Sequence, residues 1–227
     1  MSWCIYELTQ HQDVAEKLYK EIVEHVDMRE EDNGLRVPTY AQCSELKYME
    51  AVSHHLMPFQ STQNEFLCAC ACACACAQIL QVLKETLRLH PSAPINQKHF
   101  EEDDVLPNGA LVRKGSTVVF SMYTMGRRKG IWGEYDANEF VPERWFGPNN
   151  FSPWQFFAFS GGPRLCLGQN FAMMEMKVVL SALLSKYRFK LSAQLNAADV
   201  TYESSATHPY VYCQPTQPLQ HYHRTNF

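Results

Sequence analysis

The chain has 227 residues, 46% of them hydrophobic, and a formal net charge of −4 at pH 7. This length is enough to bury a hydrophobic core, and the nearly balanced charge argues against nucleic acid as a partner. The sequence contains no apolar run of about 18 residues, so no transmembrane helix is predicted. The N-terminus lacks the basic and apolar regions of a signal peptide. Five of the nine cysteines fall in one repeat and the other four show no disulfide or metal-ligand spacing, which favours a reducing compartment.

Residues 1–51 are predicted to be a helical segment. Apolar residues recur with helical spacing from Trp3 to Val26, in a stretch free of Gly and Pro. A second short helix is expected up to Ala51, because Thr39 can cap the residues that follow it.

Residues 52–81 interrupt this pattern and contain an alternating cysteine–alanine repeat from Cys68 to Ala77. Three interpretations remain open. On a strand, the thiols would share one face and a soft metal could bind there. The repeat could instead be a structural strand or helix of small residues. It could also belong to a retained in-frame intron, since Val52-Ser53 and Gln81 allow codons with splice-site ends, and its removal would leave one continuous amphipathic helix.

Residues 82–213 are predicted to form the main folded part. The helix resumes at Val82 and stops at Pro91. Three strand-like pieces then predict a small antiparallel sheet, at 95–100, 110–112 and 116–121. A long ordered loop is expected next, followed by a helix and a disordered tail. These segments cover 126–160, 171–189 and 214–227.

The most informative segment runs from Phe159 to Gly168 and places Cys166 at the end of a glycine-rich turn. A thiolate held there is stabilised by loop N–H groups and by the positive end of the helix that follows. Gly162 and Gly168 would let the backbone approach a large flat ligand. Arg164 is placed to neutralise a carboxylate of that ligand.

A second pattern pairs Glu85 with Arg88, three residues apart on one helical face. Alone, such a pair is usually a solvated surface contact that contributes less than about 1 kcal/mol. The later segment Pro142-Glu-Arg-Trp145 supplies a third charged member, Arg144.

The segment from Phe159 to Gly168 resembles the haem-thiolate loop of the cytochrome P450 monooxygenases, Phe-x-x-Gly-x-Arg-x-Cys-x-Gly, at every specified position. The resemblance implies that Cys166 is the axial ligand of the haem iron. It also implies that Phe159 packs near the sulfur and that Arg164 pairs with a haem propionate. The resemblance further implies that Glu85, Arg88 and Arg144 form a buried triad that supports the haem pocket without taking part in the chemistry.

The sequence leaves two possible roles open for each of several other basic residues. Arg127, Lys98 and His99 either contact a haem propionate or are ordinary surface charges. Lys177 and residues 127–129 either form a basic face for an electron-donor protein or are likewise ordinary charges.

The fold class implied is mainly α with a small antiparallel β portion, namely the C-terminal, haem-proximal part of the cytochrome P450 fold with the N-terminal half missing. The membrane anchor, most substrate-contacting segments and the distal helix with its acid–threonine pair have no counterpart here. We therefore expect no catalytic residue for proton delivery in this chain.

The implied function is insertion of one oxygen atom from O2 into a C–H bond of a lipophilic substrate. Segments 102–109, 125–127 and 131–133 most resemble the fatty-acid ω-hydroxylase branch of eukaryotes. The implied cofactor is haem b, with electrons from NADPH through NADPH–cytochrome P450 reductase, in a monomer. The endoplasmic reticulum membrane is the implied location, or the cytoplasm if nothing anchors the chain. One alternative is a truncated, non-catalytic fragment of such an enzyme, and another is a metal-binding cysteine repeat.

Overall fold

A computed structural model of the chain describes residues 1–25, 28–30, 36–38, 66–146, 151–152, 154–191 and 213–215. These residues form mainly helices with small two-stranded antiparallel sheets, in agreement with the secondary structure expected from the sequence. They divide into two compact units. The first contains the described residues up to Lys84 and from Leu167 onwards, and the second is Glu85–Cys166.

The first unit begins with two helices where the sequence predicted one. Helix α1 is Ser2–Gln10 and helix α2 is Gln12–His25. They are separated at His11, whose backbone leaves the helical region with φ −115° and ψ 72°. The His11 N–H still donates to the carbonyl of Glu7 at 2.9 Å, so the break falls after a closed last turn.

The core of the first unit follows from helical spacing. Val14, Leu18 and Ile22 recur every four residues on α2 and are all buried. Helix α2 packs against the long helix Gln169–Lys186, on which Leu180 and Leu184 are buried. Burying each such side chain contributes about 1.5–3 kcal/mol.

Two short sheets complete the first unit. Strand β1, Met28–Glu30, pairs antiparallel with β2, Arg36–Pro38. Strand β7, Phe189–Leu191, pairs antiparallel with β8, Cys213–Pro215. The expected disorder from residue 214 is therefore wrong for residues 214 and 215, because pairing with β7 holds them. The remaining tail, 216–227, and the short helix expected up to Ala51 lie outside the described residues.

Helix α3, Phe66–Leu89, is continuous through the whole cysteine–alanine repeat and beyond it. The helix expected from residue 82 therefore begins earlier, inside the segment 52–81. The strand interpretation of the repeat is wrong, because its backbone is helical. The helix ends two residues before Pro91, which restricts the backbone preceding it.

The second unit carries the strands that the sequence predicted. Strand β3, Ile95–His99, pairs antiparallel with β6, Thr117–Ser121, in a register that sets Gln97 opposite Val119. Strand β5, Leu111–Val112, pairs with β4, Asp104–Val105, which the sequence did not predict. Strand β4 was missed because Asp103 and Asp104 precede Val105, and acidic residues are depleted in strands.

Helix α4, Met122–Gly126, follows β6 directly, and Ser121 caps it by accepting from the Thr124 N–H. The chain then runs as a long loop whose described part contains one 3-10 helix, Pro142–Trp145. Trp132, Phe140 and Arg144 of this loop are buried, so the described part of the loop is packed. A second 3-10 helix, Gly162–Arg164, precedes helix α5, which is Gln169–Lys186.

No helix within the described ranges combines the length and apolar character needed to cross a membrane.

Candidate functional site

Glu85, Arg88 and Arg144 meet in the second unit, and all three side chains are buried. The Glu85 carboxylate accepts from Arg88 twice, from Nε and from Nη2, each at 2.8 Å. Arg144 Nε donates to Glu85 Oε1, also at 2.8 Å. The pair on α3 is therefore a buried ion pair, and the 3-10 helix of the loop brings the second arginine to it.

Two further donors reach the same carboxylate, and the sequence did not identify them. The Val141 backbone N–H donates to Glu85 Oε1 at 2.9 Å, and Trp145 Nε1 donates to Glu85 Oε2 at 2.9 Å. A carboxylate offers about four lone-pair sites, so these donors saturate it. Trp145 follows Arg144 directly in the sequence, and this position beside a predicted site residue could have indicated that Trp145 also reaches the carboxylate.

The two arginines use their remaining donors on the loop that follows helix α4. Arg88 Nη1 donates to two backbone carbonyls and Nη2 to a third, while Arg144 Nη1 and Nη2 donate to three. The accepting residues are Gly126, Trp132, Asp136, Ala137 and Glu139. The loop backbone is therefore fixed to α3 through two buried guanidinium groups, whose planar shape suits several acceptors at once.

Asp136 stabilises one turn of this loop. Its Oδ1 accepts from the Asn138 backbone N–H at 2.9 Å, and this hydrogen bond is the main reason that the pKa of Asp136 lies below its ordinary value. The local turn therefore presents the Asp136 carbonyl to Arg144.

Gly126 is required because two backbones touch there. A Cβ at this position would lie 2.0 Å from the carbonyl oxygen of Arg88. The neighbouring Arg127 donates from Nη1 to the carbonyl of Leu89, and its guanidinium carbon lies 3.8 Å from the centre of the Tyr123 ring. Arg127 thus binds the C-terminal end of α3. Its contact with a haem propionate stays a prediction.

An aromatic cluster lies beside the carboxylate. The Trp145 ring packs against Phe151 and Phe156, with ring centres 5.1 and 5.0 Å away, and Trp132 lies 5.9 Å from Trp145. Trp132 Nε1 donates to the Met125 carbonyl at 2.9 Å. These edge and tilted contacts are the arrangements that aromatic pairs favour.

The cysteine loop is closed by its own backbone. The Cys166 N–H donates to the Phe159 carbonyl at 2.9 Å, and the Leu165 N–H donates to the Gly162 carbonyl at 3.1 Å. Gly162 has φ +64°, a conformation that glycine adopts without strain. Gly168, by contrast, caps α5 with φ −83°, which any residue adopts. The structure thus gives a conformational reason for Gly162 but none for Gly168.

The side chains of this loop point outward to solvent. Cys166 is a free, exposed thiol, Leu165 is 54% exposed, and Phe159 is half-buried. Arg164 is exposed and makes no hydrogen bond or ion pair with any of the described residues. The loop therefore presents a soft sulfur donor, a guanidinium and an apolar side chain.

The family model of cytochrome P450 matches residues 1–57 and 79–212. The chain belongs to the cytochrome P450 family. The match is interrupted from 58 to 78, within the segment that contains the cysteine–alanine repeat.

Three curated relatives show how much of a P450 the chain spans. Cytochrome P450 704C1 of Pinus taeda is 36% identical over 193 residues, 84% of this chain and 33% of that protein. Cytochrome P450 86B1 of Arabidopsis thaliana is 46% identical over 112 residues, 48% of this chain and 20% of that protein. Alkane hydroxylase MAH1 of the same plant is 42% identical over 113 residues, 48% of this chain and 22% of that protein. This P450 chain thus spans between 20% and 33% of the length of these three relatives.

Membership in this family implies a haem cofactor, and the residues of the cysteine loop fit one. A thiolate is a suitable iron ligand, a guanidinium suits a propionate, and an exposed leucine suits the face of a macrocycle. Cys166, Arg164 and Leu165 supply these three groups within a loop closed by two backbone hydrogen bonds.

The remaining basic residues divide between surface and interior. Lys98 is exposed, and His99 Nδ1 lies 3.4 Å from the Thr117 hydroxyl. Lys177 is only 3% exposed, so its predicted place on a basic face for an electron donor is wrong. Residues 128 and 129 remain exposed. Among the side chains that the structure describes, no three His, Cys, Asp or Glu residues lie close enough to hold a metal ion.

Proposed function

We propose that this chain forms the haem-proximal, C-terminal part of a P450 monooxygenase, with Cys166 as the axial ligand of haem b. The observation that carries the proposal is the cysteine loop, in which an exposed thiol follows Arg164, which is exposed and has no partner among the described residues. Bound there, haem would supply O2 activation and insertion of one oxygen atom into a C–H bond, with electrons from NADPH through NADPH–cytochrome P450 reductase.

The residues of the chain have distinct roles in this proposal. Cys166 binds the iron, and Arg164 neutralises a propionate. Phe159 limits water near the sulfur; its backbone carbonyl accepts the Cys166 N–H, which holds the two residues together. Gly162 gives the backbone the turn that places Arg164 and Cys166 on one short loop.

Glu85, Arg88 and Arg144 support the site without touching the reacting atoms. Their ion pairs fix the loop backbone that leads from α4 towards the cysteine segment. A rigid support matters because a ligand bound by one sulfur and one guanidinium depends on their fixed separation.

A lipophilic substrate, specifically a long-chain fatty acid hydroxylated near its ω end, is the substrate we propose for the whole enzyme. The similarity to a relative named alkane hydroxylase supports an unactivated C–H bond as the target. A location at the endoplasmic reticulum membrane accompanies this proposal and rests on the resemblance to the family.

A non-catalytic fragment is the second candidate, and the interruption of the family match favours it. The chain spans at most 33% of the relatives compared above. This candidate includes an insert at 52–81 that comes from a retained intron. The interruption of the family match from 58 to 78 supports an insert in this segment. Sequencing of mature transcripts tests this part, since an intron would be missing from most of them.

The test of haem binding is the difference spectrum of the reduced chain with carbon monoxide, after expression with added haem precursor. We expect a Soret band typical of thiolate ligation, its loss in Cys166→Ala, and its retention in Cys4→Ala, which removes the buried thiol of α1. Folded chain without the band contradicts the proposal, as does an unchanged band in Cys166→Ala.

Turnover separates the two candidates. The haem-loaded chain is incubated with NADPH, the reductase and dodecanoic acid, and hydroxylated product is measured by mass spectrometry. Product supports the monooxygenase, whereas a thiolate band without product supports the fragment.

A further inference from the structure

Trp145 differs from the other side chains that bind Glu85. Arg88 and Arg144 are charged, whereas the Trp145 indole is a neutral donor that reaches Glu85 Oε2 at 2.9 Å. A hydrogen bond from a neutral N–H to a buried carboxylate is charge-assisted and shorter and stronger than a neutral pair. Trp145 therefore has a fixed ring orientation, set by the carboxylate.

The ring of Trp145 also belongs to the aromatic cluster. Phe156 meets it edge-on, with ring centres 5.0 Å apart and an angle of 74° between the planes. Phe156 is followed in the chain by Phe157, whose ring stacks on Trp154 at 6.2 Å with an angle of 24°. The path from the carboxylate therefore continues, through the backbone that joins Phe156 to Phe157, to a second pair of rings.

This second pair of rings lies directly against the cysteine loop. A Cβ at Gly161 would lie 2.7 Å from Phe157 Cε2, and a Cβ at Gly162 would lie 3.2 Å from the Trp154 ring. Gly161 thus has no room for a side chain against Phe157, and a Cβ at Gly162 would be in tight contact with Trp154. The position of these rings sets the position of the loop backbone.

We infer that Trp145 is a positioning residue, whose indole N–H links the buried Glu85 carboxylate to the aromatic rings beneath the Cys166 loop. Every contact in this path lies within Glu85–Cys166, the second unit. The role in haem ligation rests on the proposed function, but the effect on the loop is measurable in the haem-free chain.

The chain offers a matched pair of variants. Trp145→Phe removes the N–H that reaches Glu85 and keeps an aromatic ring. Trp132→Phe makes the same chemical change in the same cluster, but its N–H reaches the Met125 carbonyl instead. Phe156→Leu is a third variant, which interrupts the ring path and leaves the Trp145 indole in place.

Hydrogen–deuterium exchange of the haem-free chain reports on the loop, because the Cys166 amide donates to Phe159. We expect exchange in the peptide 159–166 to be roughly five- to tenfold faster in Trp145→Phe and in Phe156→Leu, and nearly unchanged in Trp132→Phe. Global unfolding free energies are measured in parallel. Unchanged exchange in folded Trp145→Phe, or an equal increase in Trp132→Phe, overturns the inference.

Two spectroscopic signatures separate positioning from general destabilisation. The chain has four tryptophans, so each indole N–H signal can be assigned by substitution in proton–nitrogen correlation spectra. Glu85→Gln should shift the Trp145 signal and leave the Trp132 signal in place, and an unmoved Trp145 signal contradicts the inference. In the haem-loaded chain, Trp145→Phe should lower the fraction with thiolate ligation severalfold relative to Trp132→Phe, and equal fractions contradict it. If the unsubstituted chain shows no thiolate band, the proposed function fails while the exchange result still decides the inference.

Discussion

The cluster around Glu85 and the loop around Cys166 belong to the same unit and handle polar groups in opposite ways. In the cluster, one carboxylate and two guanidinium groups are buried and engaged in several hydrogen bonds each. In the loop, the Arg164 guanidinium and the Cys166 thiol are exposed. The cluster thus finds its partners within the chain, whereas the loop presents groups suited to a ligand.

The difference follows from the free energy of burying charge. A buried ion must be paired and hydrogen-bonded, because its desolvation otherwise costs on the order of several kcal/mol. An exposed guanidinium or thiol remains solvated, so nothing in the fold requires it to find a partner. Substitutions in the two regions should therefore have very different effects on stability.

The largest effect is expected for Glu85→Gln. The amide keeps the shape of the carboxylate but leaves two buried guanidinium charges without a counter-charge, which should lower the free energy of unfolding by about 3–5 kcal/mol. Chemical denaturation followed by tryptophan fluorescence measures it. Glu134→Gln, which changes an exposed carboxylate of the same loop, should have almost no effect. Equal stabilities of the two variants would show that the cluster contributes little.

A buried carboxylate with fewer partners sharpens the comparison. Glu21 on α2 is 8% exposed, and its Oε2 has no hydrogen-bond partner among the described residues. Burial disfavours the charged form and raises the pKa of Glu21 from its ordinary value of 4.5 to about 8. Glu85, by contrast, is paired with the guanidinium groups of Arg88 and Arg144.

The raised pKa of Glu21 predicts a pH dependence with a definite sign. Between pH 4.5 and about 8 the folded chain binds one more proton at Glu21 than the unfolded chain. Stability should therefore fall as pH rises through this window, by up to about 1.4 kcal/mol per pH unit. Glu21→Gln should remove this slope in denaturation curves, whereas Asp13→Asn, on the exposed side of α2, should retain it. A slope that survives in Glu21→Gln would contradict the raised pKa.

The smallest effects on stability are expected in the loop. Arg164→Ala and Cys166→Ser remove exposed side chains, so each should change the free energy of unfolding by less than about 0.5 kcal/mol. Both variants should nevertheless weaken haem retention, with the larger loss for Cys166→Ser, as judged by the haem remaining after gel filtration. A large loss of stability in either variant would contradict the distinction between the support and the loop.

Sequence patterns predicted the secondary structure where periodicity is strong. The helical spacing in α2 and the three strand-like pieces of the second unit correspond to observed elements. The break at His11 was missed, because one residue outside the helical region leaves the apolar spacing on either side intact. Residues 214 and 215 were assigned to a tail because pairing with a distant strand leaves no local signal.

The candidate site was predictable where charged residues and glycines fall in a recognisable order. Glu85, Arg88 and Arg144 were identified in this way, and the structure brings them together. The Val141 N–H and the loop carbonyls could not be identified, because every residue carries such groups. Lys177 was misplaced because a lysine in a helix gives no sign of its burial.

The sequence alone determined the family, the cysteine loop and the order of the charged residues, because these depend on residue identity at fixed spacing. The tertiary structure decided which donors converge on Glu85, that Arg127 binds the end of α3, and that Trp145 lies between the carboxylate and the aromatic rings. The physical reason is that burial and hydrogen bonding depend on chain segments far apart in sequence. Arg144 reaches Glu85 across 59 residues, a distance at which local patterns carry no information.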